Sequence, residues 1–334
     1  MLDGEYEWLS AVVAKLADDN TKLVYADWLD EHGDPDRAAF LRKFVEASRT
    51  MNVDDFPDAE TEYGEEWIEL IGYRFLHELA RDGIVYMNKR FLQLARPALR
   101  MVKKKAKDAQ RPIGTSKIGG LPDLPKGYAW PKGKECRAIY NDDTKGVDQL
   151  AGFLAQVNFA DIAHTQATKD LPKEGLLSFF AFQDIENDNP DVIGAKAVFF
   201  PEITGFVPTK PPGKLTEGNR EMKRQRLTFE ETLDLPDSGT FRGPWKGKLS
   251  LDPKYYDEPD LGLFIVEHYR RLNFYNMFGY GRATTGGDPT PDKKHRHLIL
   301  LENSVGCRLH IQIHEKDLAA LNFDKIKLVW VDFD

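Results

Sequence analysis

Residues 153–159 read FLAQVNF and residues 176–182 read LLSFFAF, and these two apolar runs decide the fold class. Each is short, rich in Phe, Leu and Val, and set between turn formers, which is the pattern of a β-strand. Alternation along the first run predicts Phe153, Ala155, Val157 and Phe159 on one face, with Leu154, Gln156 and Asn158 on the other. Gln156 then reads either as a sheet-surface amide or as a polar group aimed into a pocket.

Further β-prone runs follow: AVFFPEI (197–203), LGLFIVE (261–267), HLILLE (297–302), CRLHIQIH (307–314) and IKLVWVDF (326–333). Gly and Pro become frequent from residue 111, and long connections, notably 205–220 and 281–294, interrupt the strand order. Such spacing predicts an α+β domain with a mainly antiparallel sheet rather than a regular βαβ repeat, and no internal repeat of 20–50 residues is present.

Upstream, the periodicity changes to helical. Leu9, Val12, Val13 and Leu16 share a helix face, and Asp18-Asp19-Asn20-Thr21 offers side-chain oxygens to cap a second helix carrying Leu23, Tyr25, Ala26 and Leu29. His32-Gly33-Asp34-Pro35 is a stop signal, after which Asp36 opens a third helix with Phe40, Leu41, Phe44 and Val45. Residues 50–62 read as an acidic loop, and helical spacing returns with Trp67, Leu70, Ile71, Phe75, Leu76 and Leu79. A last helix is expected over about 88–109, with Phe91, Leu94, Ala95, Ala98 and Val102 along one side and Pro97 as a kink or break. The division expected is therefore a helical module over 1–110 and a β-rich domain over 111–334.

The 334 residues suit two domains, and the apolar and charged fractions, 41% and 30%, are those of a globular chain. The net charge of −8 disfavours general attraction to nucleic acid or an anionic membrane. It is unevenly spread: residues 1–82 hold 21 acidic and 8 basic side chains, and residues 83–110 hold 8 basic and 1 acidic. Arg96, Arg100, Lys103, Lys104 and Lys107 present either a phosphate-binding face or, with acidic neighbours in the same module, a neutralised or solvated one. Two distant cysteines, Cys136 and Cys307, write no disulfide framework. With no secretory start and no apolar stretch of membrane-spanning length, a cytoplasmic protein is expected.

Two stretches resemble known families. Residues 9–41, above all LVYADWLDEHGDPDRAAFLR (23–42), resemble the bacterial repeat-companion domain, a short helical accessory module; YGEEWI (63–68) is similar to a segment that commonly follows it. The leucine-rich repeats that often accompany the module are not written here. SKIGGLPDLPKGYAWP (116–131), LAGFLAQVNFADI (150–162) and LPKEGLLSFFAF (171–182) resemble, in order and spacing, the YwqG-like family, a bacterial domain of unknown function, over about 111–334. The last third departs from that pattern. NMFGYGRATTGGDP (276–289) stands where the family has a motif of the form LLGYP-x-x-IQ, and a glycine-aspartate segment is shortened to AALNFDKI (319–326).

Candidate chemistry is sparse. His310 and His314 flank Gln312 on one strand face, and His295 and His297 share another; they are either metal ligands or polar outer-face residues opposite Leu309, Ile311 and Ile313. Cys307 and Ser178 lack the local signatures of nucleophiles. Asp184, Glu186 and Asp188 are loop acids open to a general acid/base reading. Neither a phosphate-binding loop nor a dinucleotide fingerprint is present. The segment around Phe274, Tyr275, Phe278, Tyr280 and Arg282 combines aromatic anchors with an arginine, and reads as a recognition surface or as a packed turn.

The expectation is a non-enzymatic interaction or ligand-binding protein, with the helical module as accessory or docking unit. Its surface would be formed by Gln156, Phe274, Tyr275, Tyr280 and Arg282. The partner would be another protein or a small ligand, with no cofactor, no membrane and no nucleic acid. The alternative is a hydrolase-type enzyme, either metal-dependent through His310 and His314 or metal-free, with a site assembled from dispersed histidines and acids.

Overall fold

A computed structural model describes residues 1–59, 63–84, 92–105, 112–138, 144–184, 193–235, 275–281 and 294–332. Helices come first: α1 (Glu5–Ala14), α2 (Asp19–Glu31), α3 (Pro35–Thr50), α4 (Glu65–Leu70) and α5 (Tyr73–Arg81). The side chain of Asp18 caps α2, accepting from Asn20 N at 3.2 Å, and Asp34 caps α3 through Arg37 N at 3.2 Å with Pro35 in the first turn.

One buried polar knot ties these helices together. The Glu5 carboxylate receives Tyr25 Oη at 2.6 Å and Arg37 Nη1 at 2.5 Å, Arg37 Nε reaches Asp34 Oδ2 at 2.6 Å, and Trp67 Nε1 donates to Tyr25 Oη at 3.0 Å. Burial pushes the Glu5 carboxyl up, but hydrogen bonds from Arg37, Tyr25 and Leu2 N outweigh it and hold the group below its ordinary value. Tyr25, Asp34 and Arg37 all belong to the 23–42 run, so that run is the connector of the helices.

Among the described residues thirteen strands follow, and eleven form one antiparallel sheet in the order β13-β12-β11-β10-β1-β9-β2-β5-β6-β7-β4. They are β1 (Arg96–Lys105), β2 (Lys117–Ile118), β4 (Arg137–Ala138), β5 (Gly152–Asn158), β6 (Leu176–Gln183), β7 (Ile193–Phe200), β9 (Gln225–Asp234), β10 (Asn276–Phe278), β11 (His295–Glu302), β12 (Arg308–His314) and β13 (Lys327–Asp332). β3 (Asp123–Pro125) and β8 (Phe206–Pro208) form a separate pair, and α6 (Glu315–Ala319) follows β12. The sheet curls until its edges meet: β13 lies beside β4 and β7, and Arg137 Nε donates to Asp324 O at 2.6 Å. Leu99, Met101, Val157, Phe179, Ile299 and Ile311 belong to the core enclosed by this curl. β6 is buried on both faces, because Phe180 and Phe182 pack outward against Trp130 and Phe153.

The architecture is the α+β arrangement expected, with helices first and a mainly antiparallel sheet after them. Two local readings are corrected. Residues 96–105 are a strand, not part of a helix over 88–109. Ala98 and Val102 have helical spacing, but Leu99 and Met101 have strand spacing, and pairing with β9 from Arg96↔Asp234 to Lys105↔Gln225 satisfies the backbone. Pro97 sits at the start of β1, outside the part that β10 pairs. The strand lies upstream of residue 111 yet is central to the sheet. Within β5 a register shift between Phe153 and Ala155 breaks the alternation. Phe153 therefore packs on the outer cluster, and Leu154 joins Ala155 and Val157 in the enclosed core.

The helices dock on β9. Leu233 and Leu235 join the helical core, Thr232 Oγ1 donates to Glu69 Oε1 at 2.9 Å, and Ser10 Oγ donates to Gln166 Oε1 at 2.6 Å. The same junction buries Glu231 beside Glu66, Glu69, Glu78 and Glu230, with Arg74 and Arg100 as its cations. Burial pushes the Glu231 carboxyl up to about 8; the Ala167 N–H at 2.8 Å opposes this, and the Glu66 charge reinforces it. The folded form thus holds a proton that the unfolded chain, near 4.5, releases earlier. The stability this supplies is full below pH about 4.5 and is lost as pH rises through about 8. Glu231→Gln should therefore gain stability over the wild type as pH rises across that window, by on the order of 2 kcal/mol at its top, read from urea midpoints at several pH values. Arg37→Met, which strands the Glu5 carboxylate, should cost roughly 3–5 kcal/mol and lower the thermal midpoint.

Candidate functional site

The cavity with the most organised polar floor lies on the outer face of the sheet, where the 112–125 segment crosses β2 and β5. In β2, Lys117 is flanked by Gln156 of β5 and Arg226 of β9. Gly119 and Gly120 then turn the chain back over the sheet at φ 63° and 68°. A Cβ on Gly119 would stand 2.7 Å from the carbonyl oxygens of both Met222 and Lys223, so only glycine fits there.

That turn delivers Asp123 onto Lys117. Asp123 Oδ2 receives Lys117 Nζ at 2.9 Å, Gln156 Nε2 at 2.8 Å and Gly114 N at 2.9 Å. Asp123 N returns a hydrogen bond to Gln156 Oε1 at 3.0 Å, and Gln156 Nε2 also reaches Thr115 O at 2.9 Å. The Gln156 amide is thereby satisfied at both ends and fixed in orientation. Ser178, opposite Gln156 on β6, is fully buried, and its hydroxyl has no hydrogen-bond partner among the described residues.

Above the Lys117–Asp123 pair opens a cavity of about 230 Å³, closed on one side by Pro208 and on another by Arg224. The Arg224 stem lies against Gly120, where a Cβ would come within 2.9 Å of it, and its buried Nε has no hydrogen-bond partner among the described residues. Ile113 and Val207, 40% and 41% exposed, give the neighbourhood an apolar border. A polar floor, a guanidinium edge and an apolar rim are the parts of a small-molecule site.

The other sequence candidates go elsewhere. Tyr275 bonds Glu302 through its hydroxyl, with Lys103 Nζ 3.5 Å from its ring centroid. Tyr280 is 4% exposed, donates to Leu94 O and carries Arg96 at 4.4 Å over its ring. Both are packing residues of the sheet centre rather than an exposed surface. Phe274 and Arg282 lie outside the described residues, as do Glu186, Asp188, Lys107 and the 261–267 run. His310 is 0% exposed with its ring 6.5 Å from His297, so it is no outer-face residue. His314 ends β12 and caps α6, accepting from Lys316 N at 3.1 Å, with its ring 5.2 Å from His295. Among the described residues no group of three or more His, Cys, Asp or Glu side chains is placed to hold a metal. Both cysteines are buried and form no disulfide with each other; burial pushes the Cys136 thiol up to about 12. Of the basic run, Arg100 pairs with Glu230 across the strands, and Lys103 has its ammonium pKa lowered by burial, against the pull of Glu302. Among the described residues no helix is long and apolar enough to cross a membrane.

Residues 116–331 match the family DUF1963, a domain of unknown function. The chain belongs to this family. A search of the curated proteins finds no match. The DUF1963 match begins at Ser116, one residue before Lys117, so it spans the whole ion pair, Gln156 and Arg224, and it leaves out β1. Sequence reading singled out Gln156, which is fully buried beneath the Lys117–Asp123 pair rather than on the cavity wall, and did not single out Lys117, Asp123 or Arg224. The signal available was positional: two separate blocks of one resemblance, 116–131 and 150–162, supply both sides of the network.

Removing Asp123 strands the Lys117 ammonium away from water, so Asp123→Ala should cost roughly 3–5 kcal/mol. Gly119→Ala should cost roughly 2–4 kcal/mol through the clash and the positive φ. Denaturant titration monitored by tryptophan fluorescence measures both.

Proposed function

We propose that the DUF1963 domain is a YwqG-like, non-enzymatic ligand-binding domain, and that it takes a small molecule in the cavity over Lys117, Asp123 and Gln156. The observation that carries this reading is the convergence of two sequence blocks, SKIGGLPDLP and FLAQVNF, on one buried ion pair beneath an open cavity. A buried pair of this kind adds little net stability relative to apolar packing. What it does supply is a fixed array of polar groups, and Arg224 stands at the cavity edge above it. The Arg224 guanidinium would attract a hydrogen-bond acceptor or anionic group on a ligand, while Ile113 would cover an apolar portion.

Residues 5–45 form, in this reading, a bacterial repeat-companion module, an accessory or docking unit for a further protein. Its knot of Glu5, Tyr25, Asp34 and Arg37 accounts for the specific 23–42 run as helix-joining chemistry, which leaves the outer helix surfaces for contact with others.

A thermal-shift and native mass-spectrometry panel of amino acids, nucleotides, sugar phosphates and short carboxylic acids tests the cavity. At least one class should bind the full chain at one equivalent and raise its melting temperature, and Arg224→Gln and Ile113→Asp should each weaken that binding at least tenfold. A panel with no binder, or binding that both variants leave unchanged, would overturn the reading.

A further inference from the structure

A second cavity, of about 320 Å³, lies where α1 meets the sheet. Val13 and Ala14 of α1 form one wall, and Pro97, Phe278 and Leu318 supply apolar surface from β1, β10 and α6. Its charged lining is of one sign. Arg96, Lys169 and Arg296 border it together with His297, and no carboxylate of the described residues does. The contrast with the acidic junction around Glu231 on the same module is complete.

This wall is held in an unfavourable backbone conformation. Phe278 has φ 60° and Gly279 φ 71°; for a bulky residue such as Phe278 that is a genuine outlier. Asp234, fully buried, enforces it by accepting from Tyr280 N at 2.8 Å and Asn276 Nδ2 at 3.2 Å. A Cβ at position 279 would collide with Asp234 Oδ2 at 2.4 Å, so the carboxylate and the glycine are matched. Asn276 Oδ1 in turn faces His297 Nε2 at 3.1 Å, and because Asn276 Nδ2 is turned to Asp234, His297 Nε2 is the nitrogen that carries the hydrogen. Residues held in such strain cluster at ligand-binding places. On the far wall, Arg96 is stacked over Tyr280 at 4.4 Å, and Arg296 is paired with Glu315.

We propose that this pocket binds a small organic anion, a carboxylate or phosphate head on an apolar body, at the joint between the helical module and the sheet. The cations would take the head and Val13, Pro97, Phe278 and Leu318 the body. Because α1 and the sheet contribute opposite walls, occupancy would fasten the module to the DUF1963 domain. This site stands apart from the cavity over Lys117 and does not depend on it.

The test uses 8-anilinonaphthalene-1-sulfonate, a fluorescent anion with an apolar body, on the full chain. Saturable binding at one equivalent is expected, weakened by added salt, and displaced by octanoate or octyl phosphate but not by octanol. The more effective of the two competitors identifies the head group. A Lys169→Gln/Arg296→Gln double variant should bind the probe at least tenfold more weakly, whereas Arg224→Gln, in the other cavity, should bind it as the wild type does. No saturable binding, displacement by octanol equal to that by octanoate, or an unaltered affinity in the folded double variant would overturn the proposal. The salt and competitor measurements need only the unaltered protein, so they decide the matter even if the double variant does not fold.

Discussion

Asp123 is a carboxylate almost without access to water, and the outer face of the sheet is built around satisfying it. Its oxygen collects an ammonium, a side-chain amide and a backbone N–H, each from a different part of the chain. Asp123 cannot lift from β2 without breaking this buried ion pair. The twin-glycine turn is the geometric condition for this, because only residues without a side chain pass Met222 and Lys223 closely enough to carry Asp123 over Lys117. The cavity is the space left above a pair that cannot move.

The same economy appears in the helical module, where a buried carboxylate, Glu5, is surrounded by donors from α2, α3 and the N-terminal turn. The junction between module and sheet works differently. One side of it gathers carboxylates around Glu231, and the other gathers Arg96, Lys169 and Arg296 around an apolar pocket. Packing of Leu233 and Leu235 into the helical core holds the two parts together between these patches. The joint is thus apolar in the middle and oppositely charged at its ends, so protons and anions act on it from different sides.

Six of the thirteen described strands were legible, because FLAQVNF, LLSFFAF and CRLHIQIH have compositions that no helix of that length would carry. The helices were legible from spacing and from the Asp18 cap, whereas Asp34 and Pro35, read as part of a stop signal, are the cap and first residue of α3. β1 was not legible, since ALRMVKKK satisfies helical and strand spacing alike and only its partners decide between them. β9, QRLTFEETLD, was missed because charged residues fill the outward positions and thin the apolar signal to Leu227, Phe229 and Leu233. The site was half legible. Gln156 stood out as an amide in an apolar strand, whereas Lys117 and Asp123 are six residues apart across a turn, and nothing in one dimension says that their side chains meet. Tyr280 misled: an aromatic beside glycines looks like a loop anchor, and it is a core ring under Arg96.

β1 lies outside the stretch that matches the family, yet it joins β9 to β10 at the centre of the sheet. A polypeptide cut at the start of the match would leave those two strands facing an empty slot, each with a row of backbone donors and acceptors open to any extended segment. Recombination that exchanges the upstream module must therefore cross over before Arg96, or hand the newcomer the duty of completing the sheet. The helical module and the sheet are separate in appearance, but the ten residues between them make inheritance of one without the other a matter of strand complementation.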